Sequence, residues 1–154
     1  MSDERWYEVE SGAASAARHL GSAVRLYRAG GFDAPDLDGY RAAMAFQHAM
    51  RSGHTSPEAA LLRVLDLLGE ARPSGRDWHA DLVRRASAAL PTRGPLFDAD
   101  EAAAADRTRR FRRVAMRAYD GFQPDEAVRA VEAAERLAAR LPAWVPRLRD
   151  ALDP

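Results

Sequence analysis

The stretch DRTRRFRRVAMRAYD, residues 106–120, decides the fold class because its apolar and charged residues recur with the period of an α-helix. At about 100° per residue, four apolar side chains share one face: Phe111, Val114, Ala115 and Ala118. The opposite face carries four arginines: Arg109, Arg110, Arg113 and Arg117. The stretch therefore predicts a helix that buries one side. Its other side is either a solvated face or a row of planar, permanently charged donors suited to phosphates or acidic protein surface.

Helical spacing continues through the rest of the chain. Capping residues, glycines and prolines divide it into predicted helices near residues 10–29, 38–51, 57–71, 77–90, 98–119 and 124–141, with a short closing helix around Trp144. Ser56 and Pro57 predict a helix start, since Pro is favoured directly after an N-cap serine. Asp98 and Glu101 form a capping-box-like start. The sequence predicts an all-α fold, an antiparallel helical bundle.

Composition limits the kinds of function. All 23 basic residues are arginines and 23 acidic residues balance them, so no overall field attracts nucleic acid and any anion site must be local. The chain has no cysteine, which excludes disulfides and thiol catalysis. Its 154 residues predict a single domain over residues 1–154. Since the sequence contains neither a signal peptide nor a run long enough to span a membrane, we expect a cytoplasmic protein without membrane contacts.

Three segments carry motifs: YRAAMAFQH (residues 40–48), GRDWHADL (75–82, followed by RGP at 93–95) and FRRVAMRAY (111–119). Together they resemble the HEPN superfamily, specifically the HepT-like toxins. The middle segment is similar to the G-x-x-W-H-x-D-L stretch of one HepT-like branch. The resemblance covers residues 40–141 and implies a four-helix HEPN-like core plus extra helices, usually as a homodimer.

The resemblance also implies a function. HEPN ribonucleases cleave RNA without a metal ion or other cofactor, and HepT-like toxins are inhibited by a nucleotidyltransferase antitoxin. Their active motif is an Arg, four to six residues and a His, brought together from two protomers. The residue types fit the chemistry, because attack of a ribose 2′-hydroxyl on its phosphate needs proton transfer near neutral pH and a fixed positive charge on the phosphate.

Laid on this chain, the motif arginine is Arg112 and the following tyrosine is Tyr119, where the resemblance implies AMP attachment by the antitoxin. The histidine position is Arg117, or Arg113 in the other branch. An arginine holds a phosphate but cannot act as a base, and loss of an acid–base group costs about 10²–10⁴ in rate. We therefore expect weak or absent cleavage. The predicted phosphate-binding residues are Arg109, Arg110, Arg112, Arg113 and Arg117.

The four histidines are the other candidates for proton transfer. Arg41 with His48 and Arg72 with His79 both have six intervening residues, which is the family spacing. His79 is the stronger catalytic candidate, because it follows a Trp inside the best-matching segment. His48 is expected to pack in the core, and the remaining two, His19 and His54, are expected at the surface. No His, Asp or Glu spacing predicts a metal site.

These observations leave three hypotheses. The first is a HepT-like ribonuclease-toxin relative with a degenerate motif, acting with a nucleotidyltransferase. The second is a non-catalytic helical module that binds RNA or an acidic protein through the arginine helix. The third is an intact enzyme in which His79 or His48 arrives from another helix or from the second protomer.

Overall fold

The chain folds into five helices within the residues described. The computed structural model describes the backbone of residues 3–117 and 124–153 and the side chains of residues 4–113 and 127–153. The helices are α1 (Asp3–Ala29), α2 (Leu37–Leu67), α3 (Trp78–Ser87), α4 (Ala99–Arg117) and α5 (Pro124–Leu152). The predicted all-α helical bundle is confirmed. None of these helices is both long enough and apolar enough to cross a membrane.

The predicted break at Ser56 and Pro57 is wrong. Helix α2 runs without interruption from Leu37 to Leu67, although Pro57 lies inside it and cannot donate a backbone hydrogen bond. Tertiary packing outweighs that loss: Pro57 is buried, and Ser56 Oγ lies 3.3 Å from Ser15 Oγ of α1. Two predicted helices, 38–51 and 57–71, are therefore parts of one.

The ends of the chain are also more helical than predicted. Helix α1 begins seven residues before the predicted residue 10, because Trp6 and Val9 are fully buried in the core. The separate closing helix around Trp144 is wrong. Helix α5 continues to Leu152 through Pro142 and Pro146, whose side chains face solvent. Trp144 is buried, and its Nε1 donates to the Leu96 carbonyl at 2.8 Å, which ties this part of α5 to the chain before α4.

The buried apolar side chains form one cluster to which all five helices contribute. Helix α1 packs mainly against α2 and α5, and α4 packs against α5, α3 and α2. Phe46 of α2 and Phe111 of α4 meet edge to face, with ring centroids 5.7 Å apart. The predicted burial of Phe111 is confirmed, whereas the side chains of Val114, Ala115 and Ala118 lie outside the described residues.

Helices α1 and α2 approach closely at two glycines. A Cβ at Gly12 would lie 3.1 Å from the Ala60 Cβ, and a Cβ at Gly53 would lie 2.6 Å from Leu20 Cδ2. The two contacts flank Pro57 along α2, so α1 supports the helix on both sides of it. This continuity places His54 and Glu58 one turn apart on the same face of α2.

Candidate active site

The carboxylate of Glu58 is the centre of a polar cluster inside the bundle. Its side chain is 5% exposed, and three charged or titratable side chains surround it. His54 Nε2 lies 3.3 Å from Oε2, and His79 Nδ1 lies 2.5 Å from the same oxygen. Arg112 Nη1 donates to the other oxygen, Oε1, at 3.5 Å. The cluster thus joins helices α2, α3 and α4.

His54 is fixed by a second contact. Its Nδ1 lies 3.1 Å from Thr108 Oγ1 of α4, and the Thr108 hydroxyl donates its own proton to the Ala105 carbonyl at 2.9 Å. Thr108 can therefore only accept from His54, which places a proton on Nδ1. The side chain of His54 is 2% exposed, so the expectation of a surface histidine is wrong.

His79 lies at the start of α3, where two neighbours fix its ring. The ring stacks on that of Trp78, with centroids 3.6 Å apart and an angle of 29° between the planes. A carboxylate only accepts, so the contact with Glu58 requires a proton on Nδ1 and leaves Nε2 as the basic nitrogen of the neutral ring. The His79 side chain is 31% exposed and remains accessible to a ligand.

Glu58 stays ionised in this setting. Burial alone would raise the pKa of its carboxyl, but the contacts with His54, and then with His79, outweigh burial and hold that pKa below its ordinary value. The ionised carboxylate orients the ring of His79 and counters the charge of Arg112.

An arginine-rich cavity of about 310 Å³ opens beside His79. Its lining combines the histidine with Asp77, Ala80 and four arginines: Arg76, Arg109, Arg112 and Arg113. Arg76 precedes α3 and the other three arginines belong to α4, so the cavity lies where these two helices meet. An anion of the size of a phosphate group would meet several guanidinium groups and one imidazole there.

Comparison with known proteins identifies the family. Residues 45–152 match the sequence profile of HepT-like proteins, over more than half of the chain. The chain belongs to the HepT-like family. No curated protein and no solved structure matches it. The HepT-like resemblance inferred from three segments is therefore confirmed, and the matched region contains every residue of the Glu58 cluster.

The HepT-like motif residues are only partly described. Arg112 contacts Glu58, and its side chain is 23% exposed. Arg113 is exposed and lines the cavity. Arg117 ends α4 but its side chain lies outside the described residues, and Tyr119 lies outside them entirely.

The arginine face of α4 is not one open row. Arg109 and Arg110 both pair with Asp106, at 2.7 and 2.9 Å, so part of their charge is neutralised within the helix. Arg109 nevertheless lines the cavity, whereas Arg110 is not among its lining residues and is 62% exposed. Of the four members of the predicted phosphate-binding set whose side chains are described, three line the cavity and one, Arg110, lies outside it.

The two arginine–histidine pairs found by spacing do not form sites. Arg72 is held by Asp66 at 2.6 Å, and Arg41 lies 3.7 Å from Asp38. His48 is exposed rather than packed in the core, and its ring meets that of His19 edge to face. The Arg72–His79 spacing drew attention to His79, but the arginine that shares the Glu58 carboxylate with His79 is Arg112.

Sequence reasoning missed Glu58 and His54. Their signal is the i, i+4 spacing of a histidine and a glutamate on one helix face, which the assumed break at Pro57 concealed. Because the third member, His79, follows 21 residues after Glu58, no local spacing links the three.

Proposed function

We propose that this HepT-like protein binds RNA in the arginine-lined cavity and cleaves it through His79, with Glu58 as the residue that positions the imidazole. The observation that carries the proposal is the Glu58 carboxylate, which contacts His79 through one oxygen and Arg112 through the other. One carboxylate thereby fixes both a proton acceptor and a phosphate-binding group.

This arrangement supplies what the motif lacks. The family histidine is replaced by Arg117, or by Arg113 in the other branch's register, and neither can accept a proton. His79 belongs to α3 and Arg112 to α4, yet both contact the Glu58 carboxylate and both line the same cavity. Of the three hypotheses, the geometry favours the one in which a histidine arrives from another helix.

The reaction follows from the groups present. His79 Nε2 removes the proton of a ribose 2′-hydroxyl, and the 2′-oxygen attacks the adjacent phosphorus. The bond from phosphorus to the 5′-oxygen breaks, and solvent water protonates that oxygen as it leaves. The products are a 2′,3′-cyclic phosphate and a 5′-hydroxyl end. Arg112 and Arg113 hold the phosphate and stabilise its growing negative charge.

The test is cleavage of a labelled single-stranded RNA by the purified protein with excess EDTA. We expect products with a 2′,3′-cyclic phosphate, and no cleavage of an all-DNA strand of the same sequence, because it lacks the 2′-hydroxyl. His79→Ala should lower the rate about 10²–10⁴-fold, as loss of an acid–base group does.

His19→Ala is the matched control, since His19 belongs to α1 and lies outside the Glu58 cluster and outside both cavities that Arg112 lines. It should cleave at the wild-type rate. Unimpaired cleavage by His79→Ala would refute the assignment of His79. Wild-type protein that binds RNA without cleaving it would instead support the non-catalytic binding module.

We also propose the partners that the family resemblance implies: a homodimer, and a nucleotidyltransferase-type antitoxin that attaches AMP to Tyr119. A dimer surface is supported by three exposed apolar side chains along one face of α2: Leu37, Tyr40 and Met44. Met44 also lines a cavity that reaches Arg112, so this face adjoins the proposed site. A monomer in light scattering would contradict the dimer. A Tyr119→Phe variant that still gains the mass of AMP would contradict the modification site.

A further inference from the structure

The other histidine of the cluster, His54, is buried and has no role in the proposed cleavage. His54 Nδ1 donates to Thr108, but Nε2 forms no hydrogen bond with any described residue, although the side chain is 98% removed from solvent, at 2% exposure. Oε2 of Glu58 is 3.3 Å away but is not aligned for a hydrogen bond. Leaving a buried polar atom without a partner is unfavourable, because it has lost its hydrogen bonds to water. The lone pair of His54 Nε2 is therefore available to bind a ligand inside the cluster.

We propose that His54, Glu58 and His79 form a binding site for a divalent transition-metal ion, with Zn²⁺ as the best fit. The three ligand atoms, which are His54 Nε2, a Glu58 carboxylate oxygen and His79 Nδ1, all lie within 4.8 Å of one another. Two imidazoles and one carboxylate are the protein ligands of many zinc sites that keep a fourth position open.

The geometry suits an ion of this size. With ligand distances of about 2.0–2.2 Å, a tetrahedral ion separates its ligand atoms by roughly 3.3 Å. The distance from His54 Nε2 to Glu58 Oε2 is 3.3 Å, and His79 Nδ1 needs to move outward from its contact at 2.5 Å.

The surroundings of the ligands are those of a metal site. A histidine ligand usually donates its other ring N–H to an acceptor, which fixes its orientation. The contact of His54 with Thr108 does this and leaves Nε2 free of a proton in the neutral ring. Arg112 contacts Oε1 of Glu58, so Oε2 remains for the ion.

Occupancy of this site has a consequence that rests on the proposed function. With a metal on Nδ1, the neutral ring of His79 carries its proton on Nε2 and cannot accept another. Zn²⁺ should therefore inhibit RNA cleavage, and EDTA should restore it. The metal-free protein is then the active form.

The experiment measures metal binding by the whole chain after treatment with EDTA and its removal. Titration calorimetry with Zn²⁺ should give one ion per chain, and Co²⁺ should develop the visible absorption bands of a site with fewer than six ligands. Loss of a residue that only hydrogen-bonds to a metal ligand weakens metal binding roughly 10–100-fold. His79→Ala and His54→Gln each remove a ligand and should weaken Zn²⁺ binding by more than that. Thr108→Val should weaken it by about 10–100-fold.

The His19→Ala, His48→Ala double variant is the matched control, because these two rings form the other histidine pair of the chain. It should bind Zn²⁺ as the wild type does. Loss of binding in this control, equal binding by His79→Ala, or no binding by the wild type would overturn the metal site. If His54 instead carries a proton on Nε2, no cobalt spectrum will appear, which also overturns it.

Cleavage assays keep the two proposals apart. Absence of cleavage in EDTA contradicts the ribonuclease but leaves the calorimetric result to decide the metal site. Cleavage that continues when one equivalent of Zn²⁺ is bound supports the metal site and refutes inhibition through His79.

Discussion

Arg93 donates two hydrogen bonds to the Glu70 carboxylate, from Nε to Oε2 at 2.6 Å and from Nη2 to Oε1 at 3.0 Å. The Arg93 side chain is 1% exposed, and its Nη1 also donates to the carbonyls of Ala88 and Gly94. Arg85 of α3 donates to Glu70 as well, at 3.1 Å. Glu70 therefore connects the segment after α2 with the last turns of α3, through Arg85, and with the loop after α3, through Arg93. These contacts fix the position of the helix that carries His79.

Arg93→Met should lower the free energy of unfolding by up to about 3 kcal/mol, since the largely buried Glu70 carboxylate then keeps only Arg85 as a counterion. Arg84→Met is the control, because Arg84 pairs with Asp81 at the surface with a side chain 75% exposed. Exposed pairs are worth about 0–1 kcal/mol. Urea unfolding of both variants checks the difference. Equal losses would mean that the Arg93 pair adds no more than a surface pair.

The start of α4 gives a pH-dependent prediction. The Glu101 backbone N–H donates to Asp98 Oδ1 at 2.8 Å, and this bond, followed by the guanidinium of Arg140, holds the pKa of Asp98 below its ordinary 3.8. Because the folded-state pKa is lowered, the stabilisation is complete above the ordinary value and is lost as pH falls through the folded one.

Asp98→Asn isolates this effect, because asparagine also caps helices but does not titrate. At pH 7 the wild type should have the higher melting temperature, owing to the charge attraction to Arg140. The difference should shrink as pH falls below the ordinary Asp98 value of 3.8. Thermal unfolding monitored by circular dichroism from pH 7 to pH 2 checks it. A constant difference over this range would contradict the assigned cause.

The fold was largely predictable because each helix carries its own periodic pattern. The capping box of Asp98 and Glu101 is present as predicted, with mutual hydrogen bonds of 2.8 and 2.9 Å. Apart from the late predicted start of α1, the errors came from prolines. In the sequence alone, Pro57 and the two prolines of α5 indicate a helix start or a helix break. In the structure, buried contacts with other helices keep α2 and α5 continuous through these prolines.

The site was predictable only in part, for the same physical reason. Arg112 and His79 were found because each belongs to a recognisable segment. Glu58 and His54 were not, because their pairing depends on a helix that continues through Pro57. Contact across three helices is set by packing, which no short spacing in the sequence records.

The arginine cavity predicts unequal effects of two neighbouring arginines on RNA binding. Arg113 lines the cavity, whereas Arg110 lies outside that lining and pairs with Asp106. Arg113→Gln should weaken binding and lower the slope of log affinity against log salt by about 1, as loss of one phosphate contact does. Arg110→Gln should change the slope less. Fluorescence anisotropy at several salt concentrations measures both, and equal slopes would contradict binding in the cavity.

A histidine placed in the cavity should rescue an inactive variant. In a His79→Ala background, Arg113→His introduces an imidazole at the position that corresponds to the motif histidine of one HepT-like branch. We expect cleavage to rise above that of His79→Ala alone, because a group able to accept a proton returns beside Arg112. Arg117→His tests the other branch's register in the same background. No gain from either variant would mean that the cavity is not where the RNA reacts.

The packing of α1 on α2 predicts that two glycine-to-alanine substitutions change the free energy of unfolding in opposite directions. In a helix, alanine is favoured over glycine by about 1 kcal/mol. At Gly21 an added Cβ meets no described atom within 4 Å, so Gly21→Ala should stabilise the protein by roughly that amount. At Gly53 the added Cβ would lie 2.6 Å from Leu20 Cδ2 and 3.2 Å from the Leu20 backbone nitrogen.

Leu20 is fully buried and cannot move aside freely, so Gly53→Ala should lower the free energy of unfolding by about 1–3 kcal/mol, the usual cost of overpacking. Urea unfolding of the two variants side by side gives the comparison, with unchanged m-values as the check that both unfold alike. Stabilisation by Gly53→Ala would mean that α1 does not press on α2 next to His54. The support that keeps His54 and Glu58 on one helix face would then have to come from elsewhere in the bundle.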